Sequence, residues 1–300
     1  MSNPSSFPSI ANSIIEPIQL ANNQMHQMFI LRDDLIHNVI SGNKWRKLHL
    51  VVERITAENL TGIQTYGGAY SNHLLAVACA ANMFQFKCKL VVRGEEHTCH
   101  SNQVLQFCHQ MGAEIEFIHR SDFNRVKYTY GVDADGFLHI PEGGACKEGI
   151  LGAMEIGERT DQFDIIALAQ GTATTSLGVL LNSFEQSEIW VFPVIKGFLA
   201  YEEMGKLAKM WGFEDFYATQ QKRLKVFDGY HFGGYAKGLN KVVEELEVKF
   251  PDLTFPLDSV YTGKAFLGMN AELVKLNTSK SVLFIHTGGY YFSELQKNLT

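Results

Sequence analysis

Long apolar runs are missing from this chain. The longest, near 189–195, is too short to span a bilayer. Positive charge is not in excess either. Twenty-six Lys and Arg against 32 Asp and Glu leave a formal net charge of −6, which argues against nucleic acid or an anionic membrane as the main partner. Cysteine is sparse: the five are Cys79, Cys88, Cys99, Cys108 and Cys146, an odd number without a repeating spacing. That excludes a disulfide framework and predicts free thiols in a reducing cytoplasm, with Cys79 and Cys108 in the core. Residues 1–20 lack a basic segment followed by an apolar one, so no secretion signal is expected. His97-Thr98-Cys99-His100 has no second ligand pair nearby, so a solvated loop is expected there and no metal site. No loop ends in Gly-Lys-Ser/Thr, and none carries a dinucleotide fingerprint. Internal repeats and low-complexity segments are also absent.

What the chain does have is 300 residues, 46% of them hydrophobic, enough core for one large or two medium domains. Apolar patterning alternates. Strands are predicted at 28–31, 62–66, 88–92 and 114–118, with helices over 43–60, 71–84 and 101–111 between them. A second series has helices over 144–158, 201–211 and 235–248, another after 175, and strands at 164–169, 189–195, 224–227 and 282–286. Residues 120–139 are weakly patterned and read as a loop. This rhythm predicts an α/β fold with mostly parallel sheets wrapped by helices. Two such units, switching near Pro141-Glu142-Gly143-Gly144, imply a ligand cleft between them.

Three turns carry chemistry. Ser41-Gly42-Asn43-Lys44-Trp45-Arg46-Lys47-Leu48 sets Lys44 at a helix start. Cationic neighbours (Arg46, Lys47) and the helix dipole would lower its pKa and make it a nucleophile toward an aldehyde. Lys47 reads as an ordinary solvated lysine. Gly67-Gly68-Ala69-Tyr70-Ser71-Asn72-His73 follows a strand and opens a helix. Glycine there permits a tight turn, and the helix N-terminus with Ser71 can receive a carboxylate, with Asn72 as a further donor. Gly171-Thr172-Ala173-Thr174-Thr175 lies between strand and helix and can form a nest of N–H groups for a phosphate dianion. A serine hydrolase using Ser71 and His73 is disfavoured. The turn lacks the second glycine of a nucleophile elbow, and residues two apart on a helix do not face each other. The stretch Asp228-Gly229-Tyr230-His231-Phe232-Gly233-Gly234-Tyr235 is either a core turn or a pocket wall carrying phenols.

In this order, the motifs resemble the pyridoxal phosphate (PLP)-dependent family of 1-aminocyclopropane-1-carboxylate (ACC) deaminase and D-cysteine desulfhydrase. The resemblance runs from about Phe29 to the last strand. The family pattern Gly-Asn-Lys-x-Arg-Lys-Leu is complete at Gly42 to Leu48, and Pro141-Glu142-Gly143-Gly144 and Val260-Tyr261-Thr262-Gly263-Lys264 match too. It implies the two-domain tryptophan-synthase-β-like fold (fold type II), a small domain at 50–140, a large one at 1–49 plus 141–300, PLP in the cleft, and a homodimer. It implies Lys44 as the lysine that holds the cofactor aldehyde, Asn72 beside the ring oxygen, and Gly171, Thr172, Ala173, Thr174 and Thr175 around the phosphate. Ser71, Asn72, His73 and Tyr70 would face the substrate, and Tyr261 or Tyr235 would share proton transfer with Lys44.

Tyr70 replaces the family glutamine, Ser41 a glycine and His49 a glutamate. Thr262 and Thr287 stand at the ring-nitrogen positions, where desulfhydrase-type members carry hydroxyls and ACC deaminases do not. A neutral group there leaves the nitrogen unprotonated, which suffices for expelling a thiolate. The expected activity is therefore β-elimination from D-cysteine to pyruvate, sulfide and ammonia. ACC deamination to 2-oxobutanoate is the alternative, and a non-catalytic amino-acid- or PLP-binding protein is the alternative of another class.

Overall fold

The computed structural model describes residues 7–20 and 25–289. The first half of the chain runs β1 (Ile15–Ile18), β2 (Gln27–Leu31), α1 (Asn43–Ala57), β3 (Gly62–Gly68), α2 (Asn72–Phe84), β4 (Lys87–Arg93), α3 (Gln103–Gln110), β5 (Glu114–Ile118), α4 (Arg120–Val126), β6 (Gly131–Val132) and β7 (Phe137–Ile140). The second runs α5 (Lys147–Gly157), β8 (Ile165–Gln170), α6 (Thr174–Asn182), β9 (Glu188–Pro193), α7 (Ala200–Met210), α8 (Glu214–Gln220), β10 (Leu224–Val226), α9 (Leu239–Lys249), α10 (Thr262–Leu273) and β11 (Ser281–Ile285).

Two sheets form. One has the order β5-β4-β3-β7-β6, the other β1-β2-β11-β8-β9-β10. Pairing is parallel except at β6/β7 and β1/β2. Parallel strands covered on both faces are continuously apolar, as in β8, where Ile165, Ile166, Ala167 and Leu168 are all buried. The helices α2 and α6 are apolar nearly all round and are buried accordingly. No helix among the described residues is long and apolar enough to cross a membrane.

The α/β alternation and the parallel sheets follow the sequence pattern. Three local readings are corrected. Residues 120–139 are not a loop but contain α4, β6 and most of β7, elements too short to leave a periodic signal. Residues 235–238 are not helical: Phe232, Gly233, Gly234, Ala236 and Gly238 all have positive φ, so α9 begins only at Leu239. The helix α10 escaped pattern reading because Gly263 and Gly268 lower its propensity. Both glycines are packing requirements. A Cβ at Gly263 would meet the Asp258 carbonyl at 2.8 Å, and one at Gly268 would meet Phe192 and Tyr230 at 2.7 Å.

Candidate active site

The carboxyl ends of β3, β4, β8 and β11 converge on one cavity of about 530 Å³. Open α/β sheets bind ligands at such ends. Lys44, Tyr70, Ser71, Asn72, His73, Gly171, Thr172, Ala173, Thr175, Tyr235, Tyr261 and Thr287 all line it. Thr174 and Thr262 do not.

Gly42 sets the position of Lys44. Its φ is +58°, and a Cβ there would sit 2.2 Å from the Thr287 carbonyl oxygen. Asn43 N donates to that carbonyl at 3.2 Å, which ties the start of α1 to the end of β11. Lys44 Nζ donates to Asn43 Oδ1 at 2.6 Å, and Asn43 Nδ2 donates to Thr175 Oγ1 at 3.0 Å. The lysine and the 171–175 loop are thereby held in one network. Burial lowers the Lys44 pKa to about 8, partly opposed by the Asp258 charge. The expectation that Arg46 lowers it is corrected. Arg46 turns away into a buried pair with Asp33, with its Nη2 2.9 Å from Oδ1.

Lys47 is also corrected. It is not solvated but 3% exposed, lines the cavity and donates to the Gly143 carbonyl. Burial first, then the charge of Lys44, holds its pKa well below the ordinary lysine range. The i, i+3 spacing of Lys44 and Lys47 on one helix face was the available signal.

At the second turn, Ser71 caps α2, its Oγ accepting from His73 N at 3.2 Å. The imidazole points elsewhere. The Thr65 hydroxyl donates to Ile140 O at 3.0 Å, so it must accept from His73 Nε2–H at 2.9 Å. That assigns the neutral tautomer with Nδ1 as a free acceptor. Burial, then Lys47 and Lys44, keeps the His73 pKa well below normal. The Ser71 hydroxyl thus has no imidazole base, which removes the hydrolase reading. Tyr70 stands at the rim, 57% exposed.

At the third turn, Ala173 adopts φ +64° just before α6, a left-handed residue within the run of N–H groups expected for an anion nest. Tyr261 packs against Gly171 and pairs with Tyr235, ring centroids 5.8 Å apart edge to face. Burial raises both phenol pKa values, Tyr261 more strongly. Both phenols are therefore protonated near neutral pH. Thr262 is corrected from cavity wall to helix cap: its Oγ1 donates to Asp258 Oδ2 at 2.6 Å and accepts from Asp258 N at 2.9 Å. Asp258 Oδ1 also takes the N–H groups of Val260 and Tyr261, so this buried carboxylate organises the start of α10 and the backbone of Tyr261. Sequence reading also missed Arg93 and Gln170, which line the cavity from strand ends without any motif to mark them, while Glu142 of the Pro141-Glu142-Gly143-Gly144 turn lines it as well.

The cavity suits a phosphorylated aldehyde cofactor. Two neighbouring amines, Lys44 and Lys47, have lowered pKa values, and an N–H-rich loop lines the same cavity. Buried polar atoms of His73, Gln170 and Thr174 still lack partners.

No family model matches the chain. A Thermotoga maritima protein provisionally named 1-aminocyclopropane-1-carboxylate deaminase is 31% identical over 283 residues, covering 88% of this chain and 89% of that protein. The bifunctional D-cysteine desulfhydrase/1-aminocyclopropane-1-carboxylate deaminase of Arabidopsis thaliana is 26% identical, covering 88% of this chain and 72% of that one. The crystal structure of an ACC deaminase homologue matches with a TM-score of 0.74 at 25% identity, covering 98% of this chain and 97% of the other.

Proposed function

The chain belongs to the PLP-dependent family of ACC deaminases and D-cysteine desulfhydrases, and on that footing we propose that it is a lyase that releases sulfide from D-cysteine. The observation that carries this reading is Thr287, a neutral hydroxyl residue on the cavity wall, which the family resemblance puts at the ring nitrogen, where a charged partner would favour ring protonation. Thr262, which served the same argument, no longer supports it, because its hydroxyl is spent on Asp258.

Lys44 would hold the cofactor aldehyde, and the N–H groups of the 171–175 loop would receive the phosphate. Asn72, on the cavity wall, would face the ring, and Ser71 with the N-terminus of α2 would receive the substrate carboxylate. PLP bound there supplies an aldehyde for the substrate amine and an electron sink for charge at Cα. The side chains then divide the proton work. Nζ of Lys44, poised near neutrality, accepts the Cα proton. Tyr261 and Tyr235, kept protonated by burial, donate rather than accept. Thiolate leaves Cβ, and water completes the balance: D-cysteine plus water gives pyruvate, ammonia and hydrogen sulfide.

We further divide the chain into a small unit at 50–140 and a large one formed by 1–49 and 141–300. Residues 1–6, 21–24 and 290–300 of the large unit lie outside the described residues. The enzyme acts as a homodimer in a reducing cytoplasm, a setting favoured by five unpaired thiols.

The test is sulfide release from D-cysteine by PLP-loaded protein, with Lys44→Ala as the blank. Removal of a proton-transfer group predicts a fall of about 10²–10⁴-fold. Turnover of ACC to 2-oxobutanoate without sulfide release would shift the assignment to the deaminase, which the relatives' names support. PLP binding without turnover of either would leave a binding protein.

A further inference from the structure

The strand β8 reads Ile165, Ile166, Ala167, Leu168, Ala169 and then Gln170, one polar residue at the end of an apolar strand. The backbone of Gln170 is committed to the sheet. It sits in register with Pro193, and its carbonyl accepts from Val194 N at 3.1 Å. Its side chain is not committed. The residue is 1% exposed and lines the cavity, yet neither Nε2 nor Oε1 has a hydrogen-bond partner. A buried carboxamide left unpaired is unfavourable, so its retention calls for a ligand that completes it. A methionine of similar length would fill the same space without that cost.

The neighbours narrow the ligand chemistry. Gln170 directly precedes the loop 171–175, where Ala173 takes its left-handed conformation. Thr174, buried in the first turn of α6, likewise has an unpartnered hydroxyl. Thr174 does not line the cavity, so Gln170 is the cavity-lining residue beside the nest that has an unspent donor. An acceptor-only, multiply charged group is the chemistry that takes the Nε2 hydrogens.

We propose that Gln170 is a cofactor-binding residue whose Nε2 donates to the phosphate of PLP. This rests on the reading of the cavity as a PLP site. The proposal has a signature that a structural glutamine would not share: the residue disfavours the cofactor-free protein and favours the loaded one.

The experiment compares wild type, Gln170→Met and Gln170→Glu, each freed of cofactor. Thermal unfolding is measured first, then affinity for PLP and for pyridoxal, which lacks the phosphate. For Gln170→Met the expected result is a cofactor-free Tm higher by about 2–4 °C, PLP affinity about 10-fold weaker, and pyridoxal affinity unchanged. Gln170→Glu keeps the test readable if the methionine variant does not fold. Its carboxylate should weaken PLP by more than 10-fold while leaving pyridoxal binding intact. Unchanged PLP affinity in both variants, or a lower cofactor-free Tm in Gln170→Met, overturns the proposal while the PLP site stands. A wild type that binds no PLP overturns the site assignment and this inference with it.

Discussion

At the scale of single residues, burial rather than neighbouring charge tunes the site. Lys44 loses most of its preference for the ammonium form because it sits in the cavity wall, and the Asp258 charge restores only part of it. Its neutral fraction therefore passes one half near pH 8, instead of near the ordinary lysine value of 10.5. The rate at which cofactor-free protein captures added PLP, followed by visible absorbance, should rise with pH through about 8 and level off above it. A flat profile between pH 6 and 9 would contradict the role of Lys44. Asn43 was visible in the sequence only as a motif letter. Its two side-chain contacts, from Lys44 and to Thr175, arise because α1 and α6 start beside each other across 132 residues of chain.

At the scale of elements, close backbone approaches fix the site helices. The helices α1 and α5 cross where a Cβ on Gly152 would sit 1.8 Å from the Arg46 carbonyl oxygen. Gly152→Ala should therefore cost about 3 kcal/mol in urea unfolding, because the helices must separate. An effect under about 0.5 kcal/mol would show that this seam gives easily. The buried Arg46–Asp33 pair braces the same helix, and a second contact from Arg46 Nη1 to Glu155 Oε2 at 3.4 Å ties it to α5. The helix α10 teaches a different point. Its glycines read as helix breakers, but they are places where β9 and the residue 258 turn come too close for a side chain.

For the whole molecule, the cavity draws its walls from both sheets, so a ligand there should stabilise the entire fold. Saturation with PLP at about 100 times its dissociation constant is worth about 2.7 kcal/mol. Calorimetry should show Tm rising by about 5 °C or more, and Lys44→Ala should lose much of that gain. No rise in wild type would place the cofactor elsewhere. Away from the cavity, Tyr130 packs edge-on against Trp211 at 4.6 Å between ring centroids. The Tyr130 hydroxyl links Arg54 and Glu148 in the same seam.

The order of motifs, the α/β alternation and the position of Lys44 were readable along the chain, because hydrophobic period, glycine turns and helix starts are local properties. Asp258, Lys47, Gln170 and the true place of Thr262 were not. Each depends on which surface a side chain meets after the two sheets close, and that is a matter of burial and partners distant in sequence. Composition could say that a lysine stood at a helix start. The folded cavity decides that this amine is close to neutral, that its neighbour Lys47 is buried beside it, and that a glutamine at the end of an apolar strand still lacks a partner.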